Sequence, residues 1–426
     1  MSLNMLRSLI QPKNFLLPLA LVIVVAPGVT FLSPVFGYGG RWALLVLLAV
    51  FSMFSAHKIN RLRPNHTLAM IAYVGWCMLT YAWSDVRDLS LMKLVALVLV
   101  VFSAFMGGHR WVAERQLERG LDFLWPYALL ALVAWVFGHN DPGKVGGYVV
   151  VAGATGNPNF LGVIVATSTP IVFLGLYWNG ADTQKRLLWI AILAVYIVIL
   201  YQSVSRASYL VFVAIACGFL AAHRIDRKVF WAVFVVLITS IVLVTAPQFT
   251  GSLVQRNIVK NEDPDERNLS TRQQPWERSY DAAVAGGMFG IGYGVSIDQP
   301  DFEPGLTVNT YGREKGNSQL AIVEETGLVG LALYVWLIAL LFGRLVKGFL
   351  ASRNKDSKVM LGLVIGTLVG LTAHSGFEAW WVAPGSVEFV FFWVMAGAGS
   401  AMAQVATAGV VPRAAGLEER APLEWA

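Results

Sequence analysis

One arginine, Arg206, stands where two apolar segments meet with almost no loop between them. The local sequence is Tyr201-Gln-Ser-Val-Ser-Arg-Ala-Ser-Tyr209. An arginine facing lipid is costly, so it snorkels to the headgroups, pairs with a charge or binds a ligand. A guanidinium group holds phosphate oxygens through two parallel hydrogen bonds and stays charged at any working pH. The position therefore fits an anion site at a membrane boundary, with simple snorkelling as the alternative.

A second group of basic residues lies in a polar stretch of about seventy residues, from Gln248 to Asn317. Long loops of this kind are uncommon and usually functional. The basic residues of this loop are Arg256, Lys260, Arg267, Arg272, Arg278, Arg313 and Lys315. Pairing on the surface with the acidic residues at 262–266 is the alternative to a binding role, since such ion pairs are common and weak.

Part of this loop is predicted to be helical. Pro275 in the segment Ser270-Thr-Arg-Gln-Gln-Pro-Trp-Glu-Arg-Ser-Tyr-Asp-Ala-Ala283 is acceptable in a first helical turn. Trp276, Tyr280, Val284 and Ala283 would then share one face, which predicts an amphipathic helix that lies on the membrane or caps the spans. The run Gly286-Gly-Met-Phe-Gly-Ile-Gly-Tyr-Gly294 follows, and its glycines permit close backbone approach and positive φ.

The elements that must position these residues are membrane helices. Of the 426 residues, 56% are hydrophobic and 14% charged, whereas soluble proteins carry about a quarter charged residues. A span needs about 20 apolar residues, so the sequence predicts an all-α, polytopic integral membrane protein with about twelve transmembrane helices. The predicted spans are 14–36, 42–56, 66–84, 88–108, 120–138, 159–178, 186–203, 206–222, 229–247, 318–343, 358–376 and 386–405.

The distribution of basic residues predicts the orientation, because Lys and Arg concentrate on the cytoplasmic side. With the N-terminus inside, the cytoplasmic connections and termini hold twenty basic residues, and the opposite connections hold four outside the long loop. Both termini are therefore expected in the cytoplasm. This asymmetry also accounts for the net charge of +6 without a nucleic-acid partner. The expected organisation is 1–247 with spans one to nine, 248–317 as a partly helical outer loop, 318–405 with spans ten to twelve, and 406–426 as a disordered cytoplasmic tail.

Four motifs follow one another between about Gly156 and Leu340. They are Gly156-Asn-Pro-Asn159, Ser205-Arg-Ala-Ser208, Arg272-x-x-x-Trp276 with the later Phe289-Gly-Ile-Gly-Tyr-Gly294, and Asn317-Ser-Gln-Leu-Ala-Ile-Val-Glu-Glu-Thr-Gly327-Leu-Val-Gly330. In this order and spacing they resemble the O-antigen ligase superfamily. That group includes lipopolysaccharide O-antigen ligases, with O-antigen polymerases and bacterial protein oligosaccharyltransferases as relatives.

The resemblance implies a glycosyltransferase of the bacterial inner membrane whose active site faces the periplasm. Its donor would be a glycan carried on undecaprenyl diphosphate, and its acceptor a sugar hydroxyl of lipid A–core. No cofactor and no metal are implied, because fixed arginines can stabilise the negative charge of the leaving diphosphate. Arg206 and Arg272 are the principal candidates for this role. The full set expected to bind diphosphate or substrate is Arg206, Arg272, Arg278, Arg313, Lys315, Trp276 and Asn317.

One position departs from the family pattern. Members usually carry a His directly before the Asn, and it is often proposed as a catalytic base, but this chain has Gly316 there. The role of that His therefore cannot be carried over. The substitute favoured from the sequence is His374, at the outer end of the eleventh span. The other candidates are Glu314, Glu324 and Glu325.

Other functions stay open at this stage. A polymerase or a protein O-oligosaccharyltransferase would share the donor and differ in the acceptor. A secondary transporter would need ionisable residues at mid-membrane and interrupted helices, whereas the predicted spans are nearly free of charge, with Lys93 as the main exception. Asp263-Pro-Asp265 has the form of a metal-holding pair, but a solvated acidic turn is favoured and no metal is expected.

Overall fold

The computed structural model of the protein describes residues 12–54, 64–114, 119–138, 143–145, 148–223, 270–297 and 315–408. Its helices are α1 (Pro12–Val25), α2 (Ser33–Phe54), α3 (Pro64–Leu79), α4 (Arg87–Ala113), α5 (Trp125–Phe137), α6 (Pro158–Trp178), α7 (Thr183–Ser203), α8 (Arg206–Ala222), α9 (Ser270–Gly286), α10 (Ser318–Ala351), α11 (Lys355–His374) and α12 (Val387–Ala408). Short 3₁₀ turns occupy Ala26–Gly28, Thr80–Trp83, Asp122–Leu124, Gly153–Thr155 and Trp380–Val382. A small antiparallel hairpin pairs β1 (Gly143–Val145) with β2 (Tyr148–Val150).

The prediction of a helical membrane protein is confirmed. Six of the described helices are long and apolar enough to cross a membrane, namely α4, α6, α7, α10, α11 and α12. Five shorter apolar helices accompany them in the described part of the chain. The count of twelve spans stays a prediction, because the predicted ninth span at 229–247 lies outside the described residues. Most of the long loop, including Asp263, Asp265, Arg313 and Glu314, and the tail from residue 409 onward also lie outside them.

The first two helices differ from the predicted boundaries. The apolar run predicted as one span at 14–36 is divided, because α1 ends at Val25 and a 3₁₀ turn follows at Ala26–Gly28. Pro27 occupies the start of that turn, where it has no N–H to continue the α-helical hydrogen bonds. The second helix therefore begins at Ser33, well before the predicted residue 42, and bends at Gly37.

Several turns meet at one end of the helix bundle. The amide of Thr30, after α1, donates to the carbonyl of Ala154 at 2.7 Å, and the amide of Val151 donates to the carbonyl of Gln202 at the end of α7, at 3.0 Å. We call this the Arg206 end, because the next helix starts there with Arg206. Short main-chain hydrogen bonds between sequence-distant turns hold this end together.

Helices α8 and α11 pack antiparallel at close range through small residues. A methyl group at Gly366 would lie only 2.5 Å from the carbonyl oxygen of Ala214, and one at Gly370 only 2.7 Å from the Cα of Val211. Glycine at both positions lets the two backbones approach, as is common where helices pack inside a bilayer. The two pairs also set the register of α8 against α11.

Candidate active site

The turn that carries Arg206 is very short. Val204 takes a left-handed conformation with φ of 51°, the one positive φ of a non-glycine residue in the described part of the chain. The β-branched side chain of Val204 makes this conformation costly, by about 1–2 kcal/mol. Ser205 and Ser208 join their hydroxyls at 2.7 Å, and a methyl group at Gly162 of α6 would lie 2.7 Å from Ser205 Cβ. The turn is thus braced on α6, and it presents Arg206 as the first residue of α8, partly buried.

The register of α8 against α11 sets the height of Arg206 in the bundle. The pairs Ala214–Gly366 and Val211–Gly370 define an antiparallel alignment. Continuing that alignment by about one turn brings Arg206 level with His374, the last residue of α11. His374 is the last residue of α11, and its side chain is buried.

The helix predicted within the long loop is present as α9, Ser270–Gly286, but it begins five residues before Pro275, which therefore does not lie in its first turn. Its Trp276 donates the indole N–H to the carbonyl oxygen of Gly316 at 2.9 Å. The amide of Gly316 in turn donates to the Ser279 hydroxyl at 3.3 Å. Two hydrogen bonds therefore hold α9 against Gly316, which lies shortly before the start of α10. Arg272 lies in the first turn of α9, one helical turn before Trp276.

The face of α9 that packs inward differs from the predicted one. The buried positions are the small residues Ser279, Ala282 and Ala283, whereas Tyr280 and Val284 are exposed. Small side chains allow the closest approach, and a methyl group at Gly286 would lie 2.6 Å from the Val323 carbonyl of α10. The apolar face predicted as one stripe is therefore divided between a packed edge and an exposed edge.

An open cavity of about 620 Å³ lies beside α9, where α10 begins and α11 ends. Its lining residues are Trp276, Glu277, Tyr280, Asp281, Asn317, Leu320, Gly376 and Phe377. The rings of Trp276 and Phe377 lie 5.9 Å apart. Two carboxylates thus border a space with aromatic walls, at the same end of the bundle as Arg206.

Asn317 joins two of the elements around the cavity, the start of α10 and the turn after α11. Its side-chain oxygen accepts a hydrogen bond from the amide of Leu320 at 2.9 Å and so caps α10. Its side-chain amide donates to the carbonyl of Gly376 at 3.0 Å, in the turn after α11. The predicted substrate-binding residue therefore lines the cavity, and it also fixes the geometry of the cavity floor.

The glycine run after α9 adopts the positive φ values that its sequence predicted, at positions 287, 290, 292 and 294. It packs against a break in α10 at Gly327, where φ is 70° and ψ is −177°. Two chain segments approach so closely here that a methyl group at Gly327 would lie 2.1 Å from the carbonyl oxygen of Met288. Only glycine fits such a backbone and such a contact.

The glycine run also satisfies the main-chain groups that the break leaves without helical partners. The amides of Ile291 and Gly292 donate at 3.0 Å to the carbonyls of Glu324 and Glu325, respectively, before the break. After the break, the amide of Leu328 donates to the carbonyl of Gly287 at 3.0 Å. A broken membrane helix needs such replacement hydrogen bonds, because lipid offers none.

Three buried charged side chains lie next to the break. Lys315 Nζ lies 2.5 Å from Glu325 Oε1 and 3.3 Å from Glu324 Oε2. Further main-chain bonds reach the carboxylates, from the Gly294 amide to Glu325 at 2.7 Å and from the Ile297 amide to Glu324 at 3.1 Å. We call Lys315, Glu324 and Glu325 the buried charge network. A buried charge is tolerated when it is paired and hydrogen-bonded in this way.

A second lysine lies close to this network from a different helix. Lys93 of α4 packs on the glycine run, since a methyl group at Gly294 would lie 2.6 Å from Lys93 Cγ. Its charge interacts with those of Glu325 and Lys315. The expectation of nearly charge-free spans is therefore wrong for this region. The sequence showed each residue separately, but it did not show that helices distant in sequence bring them together.

The structure separates the predicted site residues into groups. Arg206, Trp276 and Asn317 lie at the Arg206 end, around or level with the cavity, and Arg278 is exposed on α9. Lys315 lies in the buried charge network, and its bonds there favour a positioning role over contact with diphosphate. Two of the alternative base candidates, Glu324 and Glu325, are engaged in the same network.

The two acidic residues that line the cavity were missed from the sequence. Glu277 directly follows Trp276, and Asp281 lies four residues after Glu277. This spacing places both carboxylates on one side of a helix. That spacing was readable once the segment was taken as helical. What the sequence did not show was that this exposed side of α9 borders an open cavity beside α10 and the end of α11. In the described part of the chain, no group of three or more His, Cys, Asp or Glu side chains is placed to hold a metal ion.

Comparison with known families gives one assignment. Residues 189–335 match the Wzy_C family, described as O-antigen ligase. The matched segment begins in α7 and contains Arg206, Arg272, Trp276, Asn317 and the break at Gly327. No curated protein sequence matches the chain significantly. The match over residues 189–335 supports the resemblance to the O-antigen ligase superfamily that the motifs indicated.

Proposed function

We propose that the protein transfers O-antigen polysaccharide from undecaprenyl diphosphate to a sugar hydroxyl of lipid A–core. The reaction would take place at the periplasmic face of the bacterial inner membrane, in a chain of twelve spans with both termini in the cytoplasm. The observation that carries the proposal is the cavity of about 620 Å³ at the Arg206 end, whose lining residues on α9 and at the start of α10 belong to the segment that matches the O-antigen ligase family. Its volume falls in the range of about 300–1,000 Å³ typical of ligand sites.

In this proposal the arginines stabilise the leaving group. As the bond between the anomeric carbon and the diphosphate oxygen breaks, negative charge develops on the diphosphate. Arg206, fixed by the braced turn before α8, and Arg272, in the first turn of α9, supply positive charge at that point. Arg278 and Arg313 are weaker helpers, and no metal is required. Preorganised charges of this kind each contribute about 10²–10³ in kcat.

The structure weighs against the transporter alternative. Transporters use broken helices whose free main-chain groups bind the transported ion. At Gly327 the carbonyls of Glu324 and Glu325 instead accept hydrogen bonds from the glycine run. The break is therefore filled by the chain itself, and this supports a fixed scaffold for the site.

The test uses purified protein in liposomes with a lipid-linked glycan donor and lipid A–core, without divalent metal. We expect ligated product from the unaltered protein and at least about 100-fold less from Arg206→Ala or Arg272→Ala. The control is Arg119→Ala, an arginine whose side chain is 71% exposed and far from the Arg206 end. Full activity in both site variants would overturn the arginine mechanism. Replacing lipid A–core by a second donor molecule or by an acceptor protein tests the polymerase and oligosaccharyltransferase alternatives.

A further inference from the structure

Transfer to a hydroxyl needs a group that accepts the hydroxyl proton. Glu314 lies outside the described residues, and the other candidates identified from the sequence do not border the cavity. Glu324 and Glu325 are buried and paired with Lys315, and the buried side chain of His374 is not among the lining residues. The carboxylates that do line the cavity are Glu277 and Asp281.

The walls of the cavity suit a sugar. Trp276, Tyr280 and Phe377 offer large apolar faces, and the C–H faces of a pyranose ring are apolar as well. Carboxylates accept hydrogen bonds from hydroxyls, and two of them one helical turn apart can engage neighbouring hydroxyls of the same ring. Aromatic faces and carboxylates together therefore favour a carbohydrate over a lipid tail.

Glu277 is the better placed of the two carboxylates for the proton transfer. It directly follows Trp276, whose indole is bonded to Gly316, so its backbone is fixed against the start of α10. Asp281 lies one turn farther along α9, away from the Trp276–Gly316 hydrogen bond. The longer side chain of Glu277 also reaches farther from the helix axis into the cavity.

We propose that Glu277 accepts the proton of the attacking acceptor hydroxyl, and that Asp281 binds a neighbouring hydroxyl of the same acceptor sugar. This inference rests on the proposed function. The acceptor oxygen forms a bond to the anomeric carbon while the bond from that carbon to the diphosphate oxygen breaks. The bonding electron pair leaves with the undecaprenyl diphosphate, the proton passes to the Glu277 carboxylate, and water then takes it up. The transfer step needs no oxidant, reductant or metal ion.

The test compares Glu277→Gln, Glu277→Ala and Asp281→Asn in the liposome assay, with Asp85→Asn as control. Asp85 is an exposed carboxylate between α3 and α4 that does not line the cavity. Loss of a general base costs about 10²–10⁴ in rate, so we expect Glu277→Gln to lose that factor in kcat with KM little changed. Asp281→Asn should mainly raise KM for the acceptor.

Added azide separates a proton-accepting role from a structural one. Azide is an anionic nucleophile that has no proton to lose, so Glu277→Ala should consume donor and form glycosyl azide at a rate near that of normal transfer. Arg206→Ala should not respond to azide, because its defect lies in the leaving group. A Glu277→Gln kcat within twofold of the unaltered protein would overturn the inference, and so would failure of azide to restore Glu277→Ala. Absence of any transfer by the unaltered protein would instead overturn the proposed function.

Discussion

Trp276 donates its indole N–H to the carbonyl oxygen of Gly316 at 2.9 Å, across 40 residues of sequence. The bond joins the helix that carries the Arg-x-x-x-Trp motif to a residue two positions before the start of α10. Gly316 is also the position at which the resembled family usually carries a His. In this chain, therefore, the position contributes a main-chain acceptor that fixes α9, and the cavity beside it is bordered by carboxylates of α9 itself.

Replacing Trp276 should separate the hydrogen bond from the aromatic wall. Trp276→Phe keeps a ring against Phe377 but loses the donor, which costs about 1 kcal/mol for one hydrogen bond. Trp276→Ala also removes the wall of the cavity. We expect glycan transfer to fall modestly in the first variant and much further in the second, measured as kcat/KM alongside the thermal midpoint in detergent. Equal activity in the two variants would mean that the ring plays no part in substrate binding.

Gly327 should be far less tolerant of substitution than another glycine of the same helix. Gly327→Ala adds a methyl group 2.1 Å from the Met288 carbonyl oxygen in a backbone region reserved for glycine. We expect a loss of about 3 kcal/mol or more from strain and overpacking together. In the control, Gly343→Ala, the methyl group meets nothing within 4 Å. That variant should be neutral or more stable by up to about 1 kcal/mol, as judged by unfolding in mixed micelles.

Local patterns predicted the helices and the glycine run well, since both depend on nearby residues. The apolar lengths of α6 and α11 and the helix start after Asn317 follow from hydropathy and capping alone. The division of the first predicted span was also readable, because Pro27 and Gly28 form a turn signal. The apolar residues on both sides of this turn made the whole stretch look like one continuous span.

Long-range packing was not predictable from one sequence. From the sequence, Lys315 was expected to help bind diphosphate, because a basic residue in an outer loop is not explained by membrane orientation. Its pairing with Glu324 and Glu325 is a tertiary contact that forms next to the break at Gly327. Likewise, Glu277 looked like an ordinary charge of a solvated helix until the cavity beside α9 was known.

Removal of metal ions should leave glycan transfer unchanged. Positive charge for the diphosphate comes from arginines in the proposed mechanism, so a chelator removes nothing that the reaction needs. The measurement is product formation in liposomes with and without excess chelator, followed by added Mg²⁺ or Mn²⁺. Activity that disappears with chelator and returns with metal would contradict the mechanism and direct attention to Asp263 and Asp265.

The buried charge network leads to a prediction about the stability of the protein rather than about glycan transfer. Lys315→Met leaves Glu324 and Glu325 facing each other with reduced compensation, and removal of one partner from a buried pair costs about 3–5 kcal/mol. The double variant Lys315→Met/Glu324→Gln removes one charge of each sign and leaves Glu325, whose charge interacts with that of Lys93. We therefore expect the single variant to unfold at a much lower temperature and the double variant to recover most of the loss. If Lys315 instead contacts diphosphate, the single variant will keep its stability and lose transfer, and the two measurements together decide between these roles.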